Sequence, residues 1–365
     1  MSRARVGVIG AGFWASYHYL PFFRDHPDVE LVGIVRKTDE GLDEFRREFG
    51  LEVATSSVAE LLAAGVDGVV VSSPHALHRL HAVAALEAGA HVLVEKPMTV
   101  ELADAEAIVA AASAAARTAT VAYGWNYSRM AIWAKEMLDA GRIGRVTSVT
   151  AYKASSLTEL FSGRSGYGIV DVGGFQVEVE VATWARAEAG GGYLYGQLSH
   201  LLGLGLWLVP GEPEEVYARA NFLDNGCDLD IQASVRLADG VIGSFNGQGH
   251  QPWVMRHACD LRIAGEEGVL VLDFERVRAE LLLQGDRERG EVLHVGLDPP
   301  PADAEGIYSC DGPAQLLVDL CLGREAPDRA PADLGVRTVA VLEAAWQSAH
   351  SGLPVAVREL ARSNR

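Results

Sequence analysis

Lys96 stands at the end of a short apolar run and just before a proline, in His91-Val92-Leu93-Val94-Glu95-Lys96-Pro97. A branched apolar run of this length that stops in a turn has the pattern of a buried parallel strand. Pro97 has no N–H to give to a ladder, so the strand ends there. Polar residues just past such a strand lie at the carboxyl edge of the sheet, where open α/β sheets take their ligands. An ammonium held at that edge can hydrogen-bond a substrate oxygen and stabilise negative charge developing on it. A second chemical signal opens the chain, where Gly10-Ala11-Gly12-Phe13-Trp14-Ala15 follows the apolar run 6–9. Gly-x-Gly-x-x-Ala between a strand and a helix is the dinucleotide fingerprint. Gly10 permits the tight turn, Gly12 lets a pyrophosphate approach the backbone, and Ala15 lets helix and strand pack closely. The helix N-terminus offers its free amides to the phosphates, with Phe13 and Trp14 as further cofactor contacts.

The second strand, 29–35, ends in Arg36 and Lys37 where an NAD site carries a carboxylate for the ribose. A guanidinium beside an ammonium would receive a 2′-phosphate instead, so the pair favours NADP(H) over NAD(H). Ser73, Pro74, His75 and His78 follow the strand 66–71 at the same sheet edge, as does Glu95. All are candidate cofactor contacts, His78 pointing toward the nicotinamide side.

These residues need a framework of alternating elements, and the chain supplies one. A charged amphipathic helix over 40–49, a capping box at Ser57-Val58-Ala59-Glu60, a helix ending at Gly89 and an alanine-rich helix over 103–116 separate the strands. With a last strand over 118–123, six strands make a doubly wound parallel Rossmann sheet, and a first domain of residues 1–123. The strand-like stretches 146–152, 215–222, 228–237, 241–246, 260–264 and 268–273 follow. Several alternate polar with apolar residues, and Asp239-Gly240 is a hairpin turn.

At 365 residues the chain suits two domains. Its formal charge of -18 repels nucleic acid and anionic membranes, so neither is an expected partner. Met1-Ser2-Arg3-Ala4-Arg5 leads straight into a strand, with no leader or membrane span expected. Four cysteines without Cys-x-x-Cys pairing suit a reducing cytoplasm, with neither disulfides nor a metal site expected. The segment 299–305, opening with three prolines, reads as a flexible loop.

The Gly10 loop, the Ser73–His78 turn and Val94-Glu95-Lys96-Pro97 together resemble the glucose–fructose oxidoreductase / inositol dehydrogenase (Gfo/Idh/MocA) family. Tyr123-Gly124-Trp125-Asn126-Tyr127, Gly141-Arg142-Ile143-Gly144-Arg145, Thr183-Trp184-Ala185-Arg186 and a closing helix and strand through Val355 continue the pattern. The resemblance implies a second, α+β domain (124–365) built on a large, mostly antiparallel open sheet that joins copies into a homodimer or homotetramer. It also implies that the helix near 336–351 packs back on the first domain. The family commonly has an aspartate four residues before the histidine that matches His200, and often another three after it. Here those positions hold Gly196 and Gly203, so the Lys–Asp–His relay lacks its aspartate.

On this resemblance the chain is expected to move a hydride between nicotinamide and a secondary alcohol or ketone carbon of a sugar or cyclitol. Lys96 and His200 are the expected catalytic pair, with His200 taking the hydroxyl proton and Lys96 orienting the substrate and stabilising its oxygen. Asn126 and Arg186 are cofactor-side candidates, while Tyr152, Lys153 and Gln197 are substrate-side candidates. Two other functions stay open: redox-neutral glycoside cleavage with tightly held NAD, and nucleotide or sugar sensing without catalysis.

Overall fold

A computed structural model describes residues 3–164, 168–285, 292–296, 308 and 310–357, and the expected loop at 299–305 lies outside them. Strands β1 (Ala4–Ile9), β2 (Val29–Val35), β3 (Val53–Thr55), β4 (Gly68–Val71), β5 (His91–Val94) and β6 (Ala119–Val121) form one parallel sheet in the order β3-β2-β1-β4-β5-β6. Val6, Val8, Val70, Val92, Leu93 and Val94 are fully buried, which is why these strands read as continuous apolar runs. The chain reverses between β1 and β4, and the crevice outside their carboxyl ends is the switch point where such sheets bind ligands. Ser57 caps its helix, its side chain accepting from Glu60 N–H, but the reciprocal half of the capping box is replaced by Thr55, whose Oγ1 accepts from Ser57 N–H and donates to the Glu60 carboxylate. Strand β3 has three residues, too few to show a period, and no separate reading located it.

The other large sheet runs β16-β15-β14-β13-β7-β12-β11-β10-β17, with only the β7–β12 pair parallel. Its strands are β7 (Val146–Ala154), β10 (Pro213–Phe222), β11 (Asp228–Leu237), β12 (Ile242–Gln248), β13 (Ala258–Gly265), β14 (Gly268–Asp273), β15 (Arg278–Gln284), β16 (Val292–Gly296) and β17 (Val355–Ala356). One face is covered by the helices Ser199–Leu208 and Ala332–Ser351, so inward residues such as Val149, Ala151 and Phe245 are buried. Helix Ala332–Ser351 also meets the helix Leu102–Ala115 of the Rossmann layer, where the Glu343 carboxylate accepts from Leu102 N–H at 2.8 Å.

Strands β15 and β16, the helix Arg129–Asp139 and two further features escaped the sequence reading. Helix Asp311–Cys321 covers the parallel sheet with Ala314, Leu317 and Val318 although it lies far along the chain. A hairpin of β8 (Ile169–Val172) and β9 (Phe175–Glu178) packs on the Rossmann layer, burying Val172 and Val177 in the cluster that holds Val6 and Phe45. Its register is local, but its apolar side is complete only against residues more than a hundred positions earlier.

Candidate active site

The Gly10 loop has the shape its residue types demand. Gly10 has φ +93, and a Cβ there would fall 2.4 Å from Ser73 N, so a side chain is excluded twice. At Gly12 a Cβ would meet nothing within 4 Å, which leaves open space where a pyrophosphate approaches. The first amides of the helix Phe13–Tyr17 have no intrahelical partners by construction. The loop therefore fits a dinucleotide cofactor. Trp14 Nε1 donates to Glu95 Oε1 at 2.8 Å and Tyr19 Oη donates to the same oxygen at 2.5 Å. Glu95 Oε2 accepts from Lys96 N at 3.0 Å, so the carboxylate is held on both sides although burial pushes its pKa up.

Beyond Glu95, the Lys96 side chain runs inward, and the Lys96–Pro97 peptide is cis. The ammonium is buried, donates to the carbonyl of Gly196 at 2.9 Å and lies 5.5 Å from the Trp184 ring. Gly196 is the position where an aspartate was expected, and a carbonyl oxygen now serves as the acceptor. A Cβ at Gly196 would sit 3.1 Å from Trp184 and 3.3 Å from Phe161, so aromatic rings fill the room a carboxylate would need. At Gly203, the other position, a Cβ would be 2.8 Å from the buried Tyr123 ring. Both glycines are close-packing positions.

With no carboxylate there, burial lowers the Lys96 pKa to about 8; Glu95 opposes that shift and the Lys153 charge adds to it. His200 follows a π-helical turn, Leu194–Leu198, that opens the helix Ser199–Leu208. The imidazole is buried, 5.2 Å from the Trp125 ring and 5.0 Å from Tyr308, and its Nδ1 has no partner among the described residues. Burial first, then the Lys96 and Lys153 charges, hold its pKa well below the ordinary 6.5. Lys153 points to the same interior from β7, 4.3 Å from the Trp125 ring, and burial lowers its pKa too. Lys96, Lys153 and His200 thus share one desolvated, aromatic-walled space. Trp125, Trp184 and Tyr308 were not singled out from sequence, because aromatic residues carry no spacing signal of their own.

Other expected contacts sit differently. Tyr152 neighbours Lys153 but faces the other side of β7, is 36% exposed and donates to Gln248 at 2.5 Å. Strand alternation therefore removes it from the substrate side. His78 is buried with both ring nitrogens on backbone carbonyls. Its Nε2 lies 2.7 Å from Ser73 O and its Nδ1 3.0 Å from Pro97 O, so it ties the Ser73 turn to the Lys96 loop. Burial drops its pKa to about 4, against the pull of those carbonyls. His75 Nδ1 faces Gly190 O at 3.0 Å, and Ser73 Oγ faces His81 Nδ1 at 2.8 Å. Asn126 donates to Arg329 O at 2.9 Å, while its buried Oδ1 has no partner among the described residues. Arg186 is exposed and paired with Glu188 at 3.0 Å. Gln197 is half-buried within the π-helical turn, and its side chain has no hydrogen bond among the described residues.

At the cofactor's far end, Arg36 donates to Ala11 O at 2.6 Å and lies between Phe45 (4.7 Å) and Phe175 (5.2 Å) of the β8–β9 hairpin. Lys37 extends outward to Glu180 at 2.6 Å. No described helix is long and apolar enough to cross a membrane.

Comparison with known proteins agrees with this arrangement. Residues 4–123 match the model "Oxidoreductase family, NAD-binding Rossmann fold" and residues 132–271 match the "GFO/IDH/MocA C-terminal domain". A 1,5-anhydro-D-fructose reductase of Ensifer adhaerens is 30% identical over 73% of this chain and 75% of its own. A 1-carboxy-3-chloro-3,4-dihydroxycyclohexa-1,5-diene dehydrogenase of Comamonas testosteroni is 28% identical over 68% of this chain, which spans only 62% of that relative's length. A solved levoglucosan dehydrogenase in complex with NADH and L-sorbose superposes with TM-score 0.79 at 22% identity, over 98% of this chain and 99% of its own. The chain belongs to the Gfo/Idh/MocA oxidoreductase family, with a Rossmann NAD-binding sheet and a mostly antiparallel second sheet.

Proposed function

We propose that this protein is an NADP(H)-preferring dehydrogenase or reductase acting on a secondary alcohol or ketone carbon of a sugar, sugar derivative or cyclitol. The observation that carries the reading is the buried Lys96 ammonium, bonded to the carbonyl four residues before His200, beside a Gly-rich loop shaped for a dinucleotide. When bound, the nicotinamide takes up or delivers the hydride. Lys96, still mostly protonated at neutral pH, hydrogen-bonds the reacting oxygen and stabilises the charge that builds on it. His200 is neutral over the working range, and its unpartnered Nδ1 accepts the hydroxyl proton in oxidation or, once protonated, returns it in reduction. With His200 a weak base, more of the work falls on Lys96.

The preference for NADP(H) rests on Arg36, a cation at the end of β2 without an ion pair among the described residues, although the Glu40 charge acts on it, already oriented by two aromatic rings and Ala11 O. We divide the chain at 123/124 into cofactor and substrate domains and assign it to the cytoplasm. Self-association is proposed through the outer face of the nine-stranded sheet, where Tyr152, Tyr217 and Ile242 are exposed on one side.

Single turnover of the NADPH form with keto-sugars tests the catalytic pair. Lys96→Met and His200→Asn should each slow hydride transfer by roughly 100-fold or more while leaving NADPH binding within a few-fold. Unchanged turnover in Lys96→Met would overturn the catalytic role of Lys96, and a wild type that binds NADPH but turns over none of the keto-sugars would favour a sensing role.

A further inference from the structure

Lys153 carries an ammonium toward the interior without an ion-pair partner among the described residues. Its residue is 7% exposed, on the inward face of the central strand β7. Among the described residues its ammonium has neither a hydrogen-bond partner nor an ion pair, only the Trp125 ring at 4.3 Å. Glu275 acts on it from a distance, and Cys259, whose thiol is pushed up by burial, is neutral. The other carboxylate near the site, Glu95, has its oxygens occupied by Trp14, Tyr19 and the Lys96 amide. An unpaired charge in the interior is held at a cost, and a bound ligand that supplies the counter-charge would relieve it.

The neighbours sharpen the type of ligand. Lys96 and Lys153 both act on His200, and Lys153 lowers Lys96, so all three share one field. Glu95 offsets the Lys96 charge, nothing adjacent offsets Lys153, and His200 is neutral. The site therefore carries about one surplus positive charge when empty of substrate. A carboxylate supplies one negative charge at neutral pH, whereas a phosphate monoester supplies closer to two. From this, and resting on the sugar or cyclitol reading above, we propose that the substrate bears a carboxylate that pairs with Lys153. The substrate class is then a sugar acid or a carboxylated cyclitol, held by Lys153 at the carboxylate while Lys96 and His200 address a ring hydroxyl.

Titration calorimetry of the NADPH-loaded enzyme can compare D-glucuronate, D-galacturonate and D-gluconate with D-glucose, D-galactose and D-glucose 6-phosphate. At least one acid should bind about 10-fold or more tighter than its neutral counterpart and tighter than the phosphate. Lys153→Met should remove at least about 10-fold of that advantage, and Lys153→Arg should retain most of it. Neutral sugars binding as well as the acids, or an advantage unaffected by Lys153→Met, would overturn the proposal, and preference for the phosphate would replace carboxylate with phosphate. Nicotinamide absorbance, read separately, tests the oxidoreductase reading. Lys153-dependent acid binding without hydride transfer sinks that reading alone, and turnover of neutral sugars without it sinks only the carboxylate.

Discussion

The ionisation of Lys96 gives a sharp test of how the site is wired. Burial is the main cause that brings its pKa from 10.5 to about 8, a bias of about 3 kcal/mol against the charged form. If the protonated ammonium is the form that holds the reacting oxygen, kcat/KM should fall as pH rises through about 8. His200, whose pKa lies well below 6.5, should leave the profile flat from neutral pH up to that limb. Lys153→Met removes a like charge without removing the burial, so the alkaline limb should move up by only about 0.5–1 pH unit. Stability moves the opposite way to activity over this range. A lysine whose folded pKa is depressed destabilises fully below pH 8, and the cost is relieved as pH rises toward 10.5. Steady-state kinetics over pH 6–10 on wild type and Lys153→Met give the answer. An alkaline limb that stays in place after Lys153→Met would show that the two lysines do not share a field, and the reasoning would fail.

Arg36→Ala should weaken NADPH binding by about 10- to 100-fold and NADH binding far less, as read by fluorescence titration. Gly203→Ala should destabilise by about 1–3 kcal/mol in urea melts, because its Cβ would enter the Tyr123 ring space at 2.8 Å. Asp228 is fully buried, accepts from Leu194 N at 2.8 Å and has its pKa raised to about 7 by burial. Its folded state holds the proton more tightly than the unfolded chain, so stability should decline by on the order of 4 kcal/mol as pH rises from 3.8 to 7. Asp228→Asn should remove that slope in urea melts across this range.

Local chemistry was legible where one short segment states it. The Gly10 turn, the Ser57 cap and the end of β5 at Lys96 each depend on neighbours a few positions away, and they read correctly from types and spacing. What sequence could not show is what a side chain meets across the fold. Gly196 and Gly203 looked like lost carboxylates, yet each lies against an aromatic ring from another segment. His78 looked aimed at the cofactor, but two carbonyls claim both of its nitrogens. Tyr152 and Lys153 were indistinguishable as adjacent strand residues until the covered face of β7 was known.

The central claim, hydride transfer to or from a sugar-like substrate organised by Lys96, is tested most directly by one comparison. Neutral and acidic sugars and inositols are screened with NADP and NAD in parallel, following nicotinamide absorbance, with wild type and Lys96→Met. The account predicts turnover with NADP preferred, reduced about 100-fold or more in Lys96→Met. Tight NAD binding with no measurable NADP binding would contradict the reading of Arg36, and equal rates in wild type and Lys96→Met would contradict the claim itself.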